Sequence, residues 1–255
     1  MHRLTSHREL LDLSGGDPWV RWALDPALPG EVWVHEDVAL VQRHGPRPGF
    51  WVAPLPSGMP QPTERERLTS ALIQLRDRLL PGMDVIAVSV PQEHAGPAHE
   101  VLDLGDGGEW DWMWTTSTPD PDPRESQLVV LDDTRDAEEL QTFTAAHNPR
   151  VWTEIGSGRV VRWLGLRATS GELLAIGGSE LTAAGVPHLA GIVTAVPQRG
   201  HGWGTLVSRG LTRWAIEEHG VSTLGMFSDN DVARRVYRAL GYRTARAWHS
   251  RRLAS

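Results

Sequence analysis

Two spacings of apolar residues alternate along this chain. Short apolar runs bounded by glycine or proline predict strands, and longer stretches with apolar positions every three or four residues predict helices. After a polar opening segment, Glu31–Arg43 (EVWVHEDVALVQR) predicts two short strands and Gly49–Leu55 a third. Pro54–Pro62 predicts a loop, followed by a capping box of Thr63 with Glu66 and an amphipathic helix to about Leu80. Asp84–Val90 (DVIAVSV) predicts a buried strand, and Glu109–Thr116 (EWDWMWTT) a half-exposed one.

The second half repeats this alternation. Gln127–Leu131 predicts a strand, and a helix from about Asp136 to His147 ends at Asn148-Pro149. Val160–Ala168 and Leu173–Leu181 predict a strand pair turned at Thr169-Ser170-Gly171. From His188, the β-branched run Leu189–Val196 predicts a buried strand closed by Pro197. After a glycine-rich turn, Trp203, Leu206, Val207, Leu211, Trp214 and Ala215 fall on one face of a helix that ends at His219-Gly220. Thr223–Phe227 predicts a short strand. Asp229 or Asn230 caps a helix over Asp231–Leu240, and Tyr242–Leu253 predicts closing strands.

A length of 255 residues suits one large domain or two small ones. The parallel order of elements in the halves favours two. Ser117–Ser126 (STPDPDPRES) alternates prolines with acids and predicts an extended linker. The expected division is a first domain over 1–118, a linker over 119–126 and a second domain over 127–255.

Composition narrows the function classes. Cysteine is absent, which removes disulfides, thiolate nucleophiles and cysteine zinc sites. The net charge of −7 disfavours a nucleic-acid partner. Residues 1–120 carry 18 acidic and 9 basic side chains, whereas residues 121–255 carry 14 and 16, so the second half better suits a polyanionic ligand. No apolar run is long enough for a membrane span and the N-terminus lacks a signal-peptide core, so a soluble cytoplasmic protein is expected. His94 and His99 (HAGPAHE) read as solvated loop histidines, and no metal is assigned.

The chemistry concentrates between His188 and Thr205. A strand, a glycine-rich turn and a helix N-terminus together make an anion site, because unpaired backbone N–H groups and the positive end of the helix dipole converge there. The spacing is not the Rossmann G-x-G-x-x-G, and without a lysine anywhere in the chain it is not a P-loop. What remains is R-x-x-G-x-G at Arg199, Gly202 and Gly204. A second segment, SDNDVARRVYRALGY (Ser228–Tyr242), follows one helix and one strand later. Together these segments resemble the GNAT superfamily of acetyl-CoA-dependent N-acetyltransferases, over about residues 127–253.

That resemblance implies a mixed α/β fold, with a degenerate copy in the first half that lacks the cofactor loop. It implies that Arg199, Gly200, His201, Gly202, Trp203, Gly204 and Thr205 cradle the pyrophosphate of coenzyme A. By the same resemblance, the backbone of Ile192, Val193, Thr194 and Val196 receives the pantetheine arm. Asn230 and Arg234 belong to the second cofactor segment. Tyr237 would stand at the sulfur as general acid, a role open to a phenol at neutral pH. Tyr242 reads as structural. Candidates for the base are His188 and Glu180, with a water chain as the alternative. The expected acceptor is a small-molecule or peptide amine attacked directly in a ternary complex. A non-catalytic acyl-CoA-binding or interaction module is the competing reading.

Overall fold

The computed structural model describes residues 1–45, 47–56 and 61–254, without the side chains of residues 61–63. Its contacts define two compact units, residues 1–112 with 227–229 and 244–255, and residues 113–226 with 230–243. The sequence places its boundary at 119–126; in the contact division the break follows Trp112, and the chain's last strand belongs mostly to the first unit.

In chain order the elements are β1 (His2–Leu4), α1 (His7–Leu13), α2 (Pro18–Ala23), β2 (Val32–His35), β3 (Val38–Arg43), β4 (Gly49–Pro54) and α3 (Gln61–Gln74). A π turn over Leu75–Leu79 extends α3. There follow β5 (Ala87–Pro91), α4 (Ala95–Val101), β6 (Leu104–Thr115), β7 (Leu128–Leu131), α5 (Ala137–His147), β8 (Val160–Arg167) and β9 (Leu173–Leu181). The last are β10 (Pro187–Thr194), α6 (Trp203–His219), β11 (Ser222–Phe227), α7 (Asp231–Ala239) and β12 (Arg243–Leu253).

In the first unit β1 to β5 lie in chain order, antiparallel except for β4 and β5, which run parallel over Gly49–Ala87, Phe50–Val88 and Trp51–Ser89. β12 pairs antiparallel with β5, with β6 beyond it. The apolar stripe of α3 explains its seat: Leu68, Ala71, Leu72 and Leu75 pack on Leu40, Phe50, Val52 and Val88 in one buried cluster. Each fully buried aliphatic side chain contributes about 1.5–3 kcal/mol.

In the second unit β7, β8, β9 and β10 form an antiparallel run, and β10 meets β11 in parallel. One buried cluster holds Val207 and Leu211 of α6 with Leu189, Leu224, Tyr237 and Tyr242. A second holds Leu140 and Phe143 of α5 with Trp163, Ile176 and Val193. Leu189 and Val193 lie on one strand yet in different clusters, so α5 and α6 cover opposite faces of this sheet.

The sequence pattern misplaces several boundaries. α3 starts at Gln61, two residues before the predicted cap at Thr63, whose side chain lies outside the described residues, as do residues 57–60 of the predicted loop. Asp122 and Glu125 form a capping box that turns Pro123–Gln127 into a 3-10 helix, so the predicted extended linker ends in helix. The key strand stops at Thr194, not Val196: Val196–Gln198 is a 3-10 turn, since Pro197 has no N–H for a ladder. The closing strands are one strand, β12. β5 begins at Ala87 rather than Asp84, and β6 begins at Leu104, ahead of the predicted start. Its LGDGG segment has no β-branched residue and is strand only because β12 lies beside it.

Candidate functional site

The site rests on a defect in β10. His188 pairs with Glu180 and Leu189 with Ser179, but the register shifts between Ala190 and Val193, opposite Gly178 and Ile176. One residue is therefore extra, a bulge at Gly191-Ile192. Gly191 has φ 61°, a conformation that costs glycine nothing, and a Cβ there would come within 2.9 Å of the Trp163 ring. On its other edge β10 pairs with β11 only at His188–Thr223 and Leu189–Leu224. The two strands then part. Among the described residues, the backbone of Ala190–Thr194 has no ladder partner on that side, so an extended ligand could bond there as a strand would.

The wedge leads to the start of α6. Gly202, at φ 81°, caps the helix with no side-chain hydrogen bond, and the first turn carries no acid. The leading amides, those of Trp203, Gly204 and Thr205, therefore lack intrahelical partners and face outward as an anion site, worth about 0.3–1 kcal/mol per charge when exposed. Strand end and helix start lie close together. A Cβ on Gly204 would stand 3.0 Å from Thr194 Oγ1.

The other predicted ligand-holding residues have contacts of their own. The Arg199 guanidinium donates to the His147 carbonyl at the end of α5 (2.8 Å), and the Val196 N–H bonds His147 Nδ1 at 3.4 Å. The sequence offered no signal for this anchoring role of His147. Exposed His201 stacks parallel to Trp203, with centroids 6.4 Å apart, while Trp203 packs on the α6-side cluster. Asn230 caps α7, its side chain accepting from the Ala233 N–H at 3.0 Å, and Arg234 Nε lies 3.8 Å from Asp231. A groove of about 830 Å³ beside α5 touches this loop only at Ala195, Pro197 and Gln198. Its lining includes Asp136, Glu138, Glu139 and Glu172, which does not suit an anion.

The candidate acid and base stand on opposite faces. Tyr237 is buried in the cluster that contains Leu189 and Leu224, the last paired residues before the strands part. Burial pushes its phenol up to about 12, so it keeps its proton throughout the neutral range. Ser208 lies near enough to favour the ionised form slightly, but makes no well-formed hydrogen bond. Tyr242 is structural: its hydroxyl meets Ser222 Oγ at 2.6 Å and Thr212 Oγ1 at 2.9 Å.

His188 alternates with Leu189 and so points to the other face. Its Nδ1 lies 2.9 Å from Thr223 Oγ1, and that hydroxyl donates to the Pro187 carbonyl at 3.0 Å. With its only proton committed, Thr223 must accept from Nδ1–H, which leaves a lone pair on His188 Nε2. Burial lowers this imidazole to about 4, so it is neutral at pH 7. Glu180, the cross-strand neighbour of His188, is raised by burial, against the opposing pull of Arg159. The bulge, the Thr223 contact and the Trp163 wall went unmarked at the sequence level. A glycine inside the β-branched run was the one available sign.

Comparisons with known proteins bear on the family and the fold. The model of the Acetyltransferase (GNAT) family matches residues 109–242. A comparison with curated proteins finds no significant match. Among solved structures, an acetyltransferase from the GNAT family of Colwellia psychrerythraea is similar, at TM-score 0.55 and 16% identity, over 99% of both chains. A GCN5-related N-acetyltransferase from Kribbella flavida aligns at TM-score 0.54 and 17% identity, over 98% of this chain and 96% of that one. A putative GNAT acetyltransferase from Novosphingobium aromaticivorans aligns at TM-score 0.54 and 20% identity, over 84% and 90%. Among the described residues, no helix is long and apolar enough to cross a membrane.

Proposed function

Since the chain belongs to the acetyltransferase (GNAT) family, we propose that its second unit transfers acetyl from acetyl-CoA to a primary amine by direct attack in a ternary complex. One observation carries this reading: β10 and β11 part beside the Gly191 bulge, and the opening runs into the start of α6, which has no side-chain cap and no acid in its first turn. The wedge fits an amide-bearing pantetheine arm, and the α6 amides fit a pyrophosphate.

The acyl donor supplies the activated carbonyl; the chain supplies the rest. Backbone N–H groups at the bulge hold the developing oxyanion, a type of donor worth about 10²–10³-fold in rate. The neutral His188, with Nε2 unprotonated, accepts the proton of the attacking amine. Glu180, beside it, draws the amine in as a cation. Tyr237 serves the leaving sulfur. A phenol near 12 is a weaker acid than an ordinary thiol near ~8.5, so its role is a hydrogen bond to the departing thiolate rather than complete proton transfer.

A free-thiol assay with acetyl-CoA over a panel of small-molecule amines and peptide N-termini tests the reading. Thiol release dependent on an amine supports it. Absence of release with every acceptor, together with no rise in melting temperature on adding acetyl-CoA, would sink it.

A further inference from the structure

The two histidines of HAGPAHE take no part in this chemistry, and they differ from the solvated loop pair that the sequence suggests. His94 is 4% exposed and bonds Glu64 Oε1 at 2.9 Å. His99, exposed on α4, meets a histidine 150 residues further on, His249 of β12. Their Nε2 atoms face each other at 3.2 Å, with ring centroids 5.2 Å apart and planes at 70°.

His249 is buried, and its Nδ1 lies 2.6 Å from Glu109 Oε1. An ionised carboxylate only accepts, so Nδ1 carries the proton and Nε2 presents a lone pair toward His99. In the ion-free pair, His99 donates its Nε2–H into that lone pair.

A carboxylate holding one imidazole nitrogen while the other faces a second imidazole is the arrangement of a transition-metal site. Two nitrogens on one tetrahedral zinc, each at about 2.0–2.1 Å, stand roughly 3.3 Å apart. The pair here is already at that separation. Glu109 Oε1 also accepts from Arg251 (2.8 Å), but its Oε2 is buried with no partner, a lone pair whose charge a cation on His249 would help to offset.

We propose that His99 and His249, with Glu109 orienting His249, form a binding site for a zinc-like divalent cation in the first unit. On binding, the proton that His99 Nε2 donates in the ion-free pair moves to its Nδ1, so no proton need leave. Exposed His99 is the route of entry. Among the described residues no group of three or more His, Asp or Glu side chains is placed to hold a metal, so water completes the shell and the site is open.

Zinc chloride titrated calorimetrically into the full-length, tag-free chain at pH 7 should show one ion per chain. His99→Ala, a change at an exposed position, should weaken binding at least ~10-fold, and Glu109→Gln ~10–100-fold. Melting curves of both variants without metal check the fold. Failure of the wild type to take up zinc at millimolar concentration would overturn the proposal. So would a His99→Ala chain that binds zinc like the wild type.

Discussion

Each unit contains a parallel strand pair whose first strand runs on into a helix, and the two pairs have opposite fates. In the second unit, β10 leaves β11 after two pairs, bulges at Gly191 and delivers the chain to an acid-free helix start. In the first unit, β4 leaves β5 after three pairs but keeps six unbroken pairs with β3. Trp51, at the last parallel pair, packs edge-on against Trp19 at 5.2 Å, and Trp19 against Trp248 at 5.0 Å. The first turn of α3 contains Pro62, which has no N–H, and the acidic Glu64. The lesson is that parting strands do not make a site. An opening needs a bulge to free backbone groups and a helix start that tolerates negative charge.

The comparison breaks most severely at Gly191. Gly191→Val forces a branched residue into φ 61° and against Trp163, removing the feature that β4 lacks. We expect thiol release to fall at least ~10³-fold, with a loss of stability of about 1–3 kcal/mol in chemical denaturation. A Gly191→Val enzyme with normal turnover would show that the bulge is incidental. Next comes Tyr237→Phe, which keeps the buried ring and deletes the hydroxyl. Turnover should drop ~10²-fold, the effect of losing one hydrogen-bond donor to developing charge, while acetyl-CoA affinity stays put; unchanged turnover with every acceptor would remove Tyr237 from the chemistry.

How much of this was legible beforehand follows from the kind of physics involved. Element type came through wherever periodicity was local: Leu173–Leu181 and Trp203–His219 fall where the pattern put them. The anion turn was readable because glycine spacing and a helix start are contiguous. Long-range pairing was not readable. The LGDGG start of β6 becomes strand through its neighbour, and β12 joins a unit whose other strands end more than 120 residues earlier. His188 was visible as a strand-end histidine, but its tautomer depends on Thr223, 35 residues away.

That tautomer gives the third test. Because burial lowers His188 to about 4, its base form should persist down to that pH instead of being lost near 6.5. The sign is that protonation, and with it the loss of activity, begins only below about pH 5. With one amine acceptor throughout, so that the amine's own ionisation cancels, the ratio of wild-type to His188→Gln kcat/KM should stay flat from pH 8 to about 5. It should fall only in more acid solution. A ratio that already declines near pH 6.5 would mean an ordinary, solvated imidazole and would shift the base role to Glu180 or to water.

The smallest expected effect is also the most direct measure of the difference between the units. Calorimetric titration of the full chain should give one acetyl-CoA per chain, bound by the second unit alone. Glu64→Gln removes the negative charge from the first turn of α3, the obstacle most easily reversed there. Even so, the stoichiometry should remain one, because Pro62 still lacks an amide and β4 still has no bulge, keeping six unbroken pairs with β3. Besides making the His94 contact at Glu64 Oε1 a neutral one, the change alters only charge at the helix start, an effect of about 0.3–1 kcal/mol, and a helix start without an open wedge offers the pantetheine arm nothing. A second equivalent bound by the Glu64→Gln chain would mean that charge alone, and not strand geometry, separates the two units.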